Sequence, residues 1–229
     1  MRLWLFSSGD GFENEPMDED LVSEIENSRP TFTFVPAHSD DADEYYDEFI
    51  DRFSAYEYAN FRMLDLENGY SKKELKRALK SQMIYLSGGN TFQFLRNLRS
   101  TGFIDEIRHY VRSGGVLGGH SAGAILMTPH IRTAAIPDFD RDENEVGIRN
   151  IFAAKFVKFE FFPHYLDQER YSSALSEASL SSQCPIYAAA DGGGINATEK
   201  GLRFYGHVWV FYKGMKLKVN TPLSTSPSQ

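Results

Sequence analysis

Cysteine is nearly absent from this 229-residue chain: Cys184 stands alone. No disulfide can form within one copy, and a cysteine-rich zinc site is excluded. A buried structural thiol is the expected role of Cys184. Long basic stretches are missing as well. The formal net charge is −8, and without a stripe of Lys and Arg there is no electrostatic footprint for nucleic acid. No apolar run approaches the roughly 20 residues of a membrane span. The apolar start at residues 1–6 breaks at Ser7-Ser8-Gly9, too early for a secretory signal. A cytoplasmic protein is the expectation.

What is present is ordinary for a globular chain. At 41% hydrophobic and 24% charged residues, a sequence of this length can bury a sizeable core. Short apolar runs alternate with helical patterns. Residues 3–6, 31–35, 61–64, 83–86 and 116–119 read as strands. Between them, Leu21, Val22 and Ile25 share a helical face that Asp18 can cap, and Tyr45, Phe49 and Phe53 recur every four residues. Ser71 and Glu74 have the spacing of a capping box. Residues 92–98 and 104–111 read as helices, the second ended by Gly114-Gly115. Further strands are expected at 155–161 and 186–190, a helix at 168–181, and short antiparallel strands over 194–219.

This alternation predicts an α/β fold, a three-layer sandwich with a mostly parallel sheet and helices on both faces. Neither a repeat nor a linker is visible. One α/β domain spanning residues 1–220 is expected, with the Ser/Pro/Thr-rich residues 221–229 as a disordered tail.

The most informative segment is Gly119-His120-Ser121-Ala122-Gly123. It fits G-x-S-x-G, and it lies between a strand and a helix-forming run. At such a turn a serine is held in a strained backbone position with its hydroxyl exposed. The N–H of Ala122 then faces a carbonyl attacked by Ser121, and the helix start adds positive potential for an oxyanion. The alternative is that the glycines only pack a tight turn. The strand and helix context favours the nucleophile.

A serine nucleophile needs a base. Of the 6 histidines, His164 ends the aromatic run Phe159-Glu160-Phe161-Phe162-Pro163, and reactive groups in open α/β sheets collect at carboxyl ends of strands. His38 also follows a strand and is the next choice. His120 neighbours Ser121 and is expected to line the pocket. The orienting acid is Asp191, at a strand end before Gly192-Gly193-Gly194, though a plain Asp-Gly turn has the same pattern. Rival acids are Asp138, Asp140, Asp142 and Glu160. Ser87-Gly88-Gly89-Asn90-Thr91 forms a second strand-to-helix junction. Its glycines let backbone approach a ligand, with the N–H of Gly89 as second oxyanion donor. Gly88, Asn90 and Thr91 are expected near substrate, with helix capping an equal use of Thr91. The acidic stretch 138–143 lacks the sixth-position glycine of an EF-hand loop, so no metal site is assigned and a solvated loop is expected.

Taken together, Gly88-Gly89-Asn90-Thr91-Phe92-Gln93, Gly119-His120-Ser121-Ala122-Gly123-Ala124, Pro129-His130-Ile131-Arg132-Thr133 and Pro163-His164 resemble the peptidase E family of α-aspartyl dipeptidases, relatives of the cyanophycinases. The resemblance implies a flavodoxin-like fold of the class I glutamine amidotransferase type, with serine in place of their cysteine. It also implies a Ser-His-acid triad. Ser121 and His164 match the nucleophile and base, and the acid falls on Asp191, where the dipeptidases typically carry glutamate. Arg132 is matched as well, as a residue for a substrate carboxylate or a salt bridge with the acidic loop. The dipeptidases carry an Asn-Asp pair where this chain reads Ala135-Ile136.

The resulting expectation is a serine peptidase acting on dipeptides or short peptides, some with an acidic N-terminal residue. It needs no cofactor, contacts neither nucleic acid nor membrane, and works as a monomer or homodimer. The rivals are an esterase or amidase with the same triad and a non-catalytic binding protein of the same fold.

Overall fold

The first strand, β1 (Arg2–Phe6), is apolar on both faces, the mark of a strand covered from both sides. Leu3 and Leu5 enter one core; Trp4 and Phe6 enter another. A computed structural model describes residues 1–8, 12–25, 29–40, 42–56 and 59–219. The expected boundary at 220 and tail at 221–229 lie outside the described residues.

The chain continues through α1 (Glu15–Ser23), β2 (Thr31–Val35), α2 (Ala42–Ser54), β3 (Asn60–Met63), α3 (Lys72–Ala78), β4 (Met83–Leu86), α4 (Thr91–Ser100), α5 (Phe103–Arg112), β5 (Val116–His120) and α6 (Ala122–Ile125). After a 3-10 turn at Arg132–Ala135 come β6 (Glu160–Phe162), α7 (Glu169–Leu180), β7 (Ile186–Ala189), β8 (Gly194–Thr198), β9 (Gly201–Tyr205), β10 (Val208–Tyr212) and β11 (Met215–Val219). The capping box at α3 forms as the spacing predicts: Glu74 N–H donates to Ser71 Oγ at 3.2 Å, and Ser71 N–H to the Glu74 carboxylate at 2.7 Å.

The large sheet has seven strands in the order β3-β2-β4-β5-β1-β8-β9. From β3 to β1 all pairings are parallel. At the other edge β8 and β9 run antiparallel. Apolar residues of α3, α4, α5 and α6 pack on one face; α1 and α2 pack on the other. The three-layer α/β sandwich follows from this two-sided burial. In the second core Phe32 and Phe53 meet edge-on at 5.7 Å between centroids, a geometry that adds about 1 kcal/mol to the burial itself.

A second sheet, in the order β11-β10-β7-β6, is not foreshadowed by the strand pattern of the sequence. Its strands β6 and β7 are parallel and the rest antiparallel. One face packs on α7 through Phe162, Tyr171, Leu175, Ile186 and Trp209. The opposite face delivers Phe161, Ala189 and Val208 to the first core. The antiparallel strands expected over 194–219 therefore divide between two sheets. The division falls at Gly206, which has φ +62° and whose Cβ, were there one, would lie 2.8 Å from Gly193 Cα.

The strand expected at 155–161 shrinks to β6. Residues 153–156 instead donate their N–H groups to the carbonyls of Pro129, Leu126, Thr128 and Met127 at 3.0 Å each. Those bonds satisfy backbone acceptors just past α6, which ends sooner than its apolar run suggests.

Candidate active site

The carboxyl ends of β1, β4, β5, β6 and β7 carry Ser7, Ser87, Ser121, His164 and Asp191 onto one rim of the fold, where open α/β sheets bind ligands. Ser121 sits between β5 and α6 with φ +49° and ψ −115°. A side chain rarely adopts such a conformation, and holding it costs of order 1–3 kcal/mol. Crowding fixes the glycines around it. A Cβ on Gly123 would fall 2.3 Å from the Leu86 carbonyl oxygen, and one on Gly119 would fall 3.0 Å from the same atom. Gly123 N–H also donates to Ser87 O at 3.0 Å. The turn is thus pressed against β4, and Ser121 faces a cavity of about 320 Å³ that His164, His120, Gly88 and Gly89 also line.

His164 Nδ1 lies 2.7 Å from Asp191 Oδ1. With that nitrogen engaged, Nε2 is the ring atom left for a partner in the cavity. The hydrogen bond from His164 holds the Asp191 carboxyl below the usual range, against the opposing effect of burial. His164 itself has φ +53°. Its N–H donates to Ser7 Oγ at 2.7 Å, and Ser7 Oγ in turn lies 2.9 Å from Ala189 O and 3.3 Å from Asp191 Oδ1.

The glycine loop after β4 is held by His120. Gly88 N–H donates to His120 Nε2 at 2.9 Å. That assigns the ring proton to Nδ1, which is buried with no hydrogen-bond partner among the described residues. Burial, with Arg52 and His164 nearby, pushes the His120 pKa down to about 3, so the ring is a neutral acceptor. Gly88 fits closely here: a Cβ would sit 2.7 Å from His120 Nε2, so the loop or the ring would have to shift. The next residue, Gly89, has φ +123°. Ala122 is the first residue of α6, where an N–H has no intrahelical acceptor.

Other residues expected at the site are placed elsewhere. Asn90 caps α4, accepting Gln93 N–H at 3.0 Å and donating to Glu143 O at 2.9 Å. Thr91 is 1% exposed, and its N–H donates to Asp142 Oδ2 at 2.8 Å. Neither lines the cavity that holds Ser121; both tie the acidic loop to the start of α4. Arg132, open in the sequence between a substrate carboxylate and a salt bridge, makes a salt bridge. Its guanidinium grips Glu160 at 2.9 and 3.0 Å, because that carboxylate is 1% exposed and requires a cation. The partner is Glu160 on β6, not the acidic loop. The same pairing removes Glu160 from the candidates for the orienting acid. His38 lines a separate depression with Asn90 and Glu67.

Several cavity residues carry little sequence signal. Ser8, Phe34, Tyr45, Glu48, Phe49, Arg52 and Tyr85 complete the lining. Arg52 stands over the Phe6 ring at 4.5 Å and pairs with Asp18 at 2.6 and 2.8 Å. It also donates to Tyr85 Oη at 2.8 Å. Its only sequence hint is a cation among the aromatics of an otherwise acidic helix. Ser7 offers less still: a serine ending a strand.

The sequence profile of Peptidase family S51 matches residues 3–205. The chain belongs to peptidase family S51. It is therefore a serine-type peptidase, as the G-x-S-x-G elbow predicts. An uncharacterized peptidase of Pasteurella multocida is 30% identical over 146 residues, 64% of this chain and 69% of that protein. A Drosophila melanogaster protein named a probable alpha-aspartyl dipeptidase is 32% identical over 142 residues, 61% of this chain and 54% of its own length. The crystal structure of a candidate peptidase E from Listeria monocytogenes superposes with a TM-score of 0.69 at 27% identity, covering 89% of this chain and 96% of that one. The peptidase E resemblance and the amidotransferase-like sandwich are both borne out for this S51 peptidase. Among its described residues no helix is long and apolar enough to cross a membrane.

Proposed function

We propose that this S51 peptidase hydrolyses dipeptides and short peptides through a Ser121-His164-Asp191 triad and an acyl-enzyme. The observation that carries the reading is the 2.7 Å contact between His164 Nδ1 and Asp191 Oδ1, made beside a cavity that both His164 and Ser121 line. His164 Nε2 takes the Ser121 proton as Oγ attacks the scissile carbonyl carbon. The N–H groups of Gly89 and Ala122 receive the oxyanion; loss of one such donor costs about 100- to 1000-fold in turnover. The protonated imidazole is stabilised by Asp191 and passes its proton to the leaving amine. Water, deprotonated by His164, then cleaves the acyl ester and restores the Ser121 hydroxyl.

The cavity volume supports a small substrate. Arg52 is the guanidinium in its lining, and Asp18 and Tyr85 already engage it. The test is a library of dipeptides, aminoacyl amides and short acyl esters, assayed with the wild type and Ser121→Ala side by side. Turnover of dipeptides by the wild type alone is expected, and a preference for Asp-Xaa members would assign Arg52 to the substrate carboxylate. Dipeptide turnover retained by Ser121→Ala, or wild-type turnover confined to the esters, would overturn the reading.

A further inference from the structure

Ser7 is fully buried at the end of β1, 0% exposed, and no step of the proposed mechanism uses it. We infer that Ser7 is a positioning residue that sets the base and the acid against one another; the inference rests on the triad reading above.

A serine hydroxyl has one proton to give and two lone pairs to receive. At Ser7 one lone pair takes the N–H of His164 at 2.7 Å. The proton is shared between Ala189 O at 2.9 Å and Asp191 Oδ1 at 3.3 Å. Ser7 N–H donates to Gly193 O at 2.9 Å, which anchors the same residue to the turn behind Asp191. A single side chain therefore touches the backbone of the base, the carboxylate of the acid, and the strand end from which that acid projects.

Two details make this more than a buried hydroxyl satisfying itself. First, His164 has a left-handed backbone, φ +53°, which its side chain disfavours. The bond from His164 N–H to Ser7 Oγ is what receives that strained peptide and fixes where the imidazole starts. Second, Ser7 addresses Oδ1 of Asp191, the oxygen that also faces His164 Nδ1. A second donor on that oxygen disperses its charge and limits how hard it holds a protonated imidazole. Ser7 thus acts on geometry through His164 and on basicity through Asp191. The contacts span 157 and 184 residues of sequence, so they pin the first strand of the large sheet to the ends of β6 and β7 in the small one.

The test uses Ser7→Thr and Ser7→Val, a pair of similar volume that differ in the hydroxyl. Each is assayed for kcat and KM on a dipeptide across pH, and by the downfield proton resonance of the His164 imidazole. Ser7→Thr is expected to stay close to wild type. Ser7→Val is expected to lose about 100-fold in kcat with KM little changed. Its pH profile and its imidazole resonance should differ from those of Ser7→Thr, because the hydroxyl that joins the His164 peptide to the Asp191 carboxylate is gone. Equal kcat, pH profile and resonance in the two variants would overturn the inference. Should Ser7→Val fail to fold, Ser7→Ala against Ser7→Thr decides on the same readouts. Ser121→Ala and Asp191→Asn run in parallel: wild-type turnover there defeats the triad itself, whereas their loss beside matching Thr and Val variants defeats Ser7 alone.

Discussion

His164 Nδ1 and Asp191 Oδ1 lie 2.7 Å apart across 27 residues of sequence. Parallel pairing of β6 and β7, with Phe162 opposite Ala188, brings the two strand ends level and lets each contribute one member of the pair. If Asp191 orients and stabilises the imidazole, Asp191→Asn removes both effects while keeping the shape. A fall of about 10⁴-fold in kcat is expected, with an unchanged circular dichroism spectrum. A loss of less than tenfold in steady-state turnover would assign the role to another acid.

The second prediction concerns acid stability. His120 has its pKa pushed from an ordinary 6.5 to about 3 by burial. Between those values the unfolded chain binds a proton there that the folded chain does not. This contribution to stability is fully present above pH 6.5 and is lost as the pH falls toward 3. Replacing the ring with His120→Gln removes the titration and keeps an acceptor for Gly88. Its unfolding free energy should fall less steeply than that of wild type between about pH 6 and 4, by up to about 1.4 kcal/mol per pH unit. Denaturant melts across that range measure the two slopes; parallel slopes would contradict a neutral buried ring.

The glycine loop yields a third. In Gly88→Ala the new methyl would meet His120 Nε2 at 2.7 Å, so the loop or the ring must shift. Because Gly89 follows directly, the shift displaces the N–H proposed as an oxyanion donor. Turnover is expected to fall about 100- to 1000-fold with a small change in melting temperature. Wild-type kcat would separate this loop from the reaction.

The fourth sets Arg132 apart from catalysis. Truncation to Arg132→Ala strands Glu160, a carboxylate 1% exposed. A loss of about 3 kcal/mol is expected, or roughly 6 to 12 °C in melting temperature for a chain of this size. KM for dipeptides should hold steady at temperatures where the variant is folded. A raised KM with unchanged stability would return Arg132 to the substrate.

The contrast between Ser121 and Ser7 shows which features were legible in the sequence. Ser121 announces itself because strand periodicity, two crowded glycines and a helix-forming run converge on five residues. His164 and Asp191 were legible for a related reason: each follows a strand run and adjoins a Pro or Gly break. The parallel sheet was legible from the regular alternation of its strands and helices. Ser7 was not, because its role depends on two strand ends more than 150 residues away. The small sheet was hidden similarly, since nothing local to Gly206 distinguishes a hairpin from a change of sheet. Arg52 reads as part of a solvated helix face until Asp18 and Tyr85 are brought to it. Asn90, Thr91 and Arg132 stay ambiguous in the sequence because capping and salt-bridge residues share their chemistry with binding residues.

The central claim is that Ser121 becomes acylated with His164 as its base. Its most direct test is covalent labelling with a fluorophosphonate, followed by peptide mass spectrometry. One adduct is predicted, on the peptide that contains Ser121, forming far more slowly in His164→Ala. Labelling at any other residue, or at an undiminished rate without the imidazole, would contradict the account.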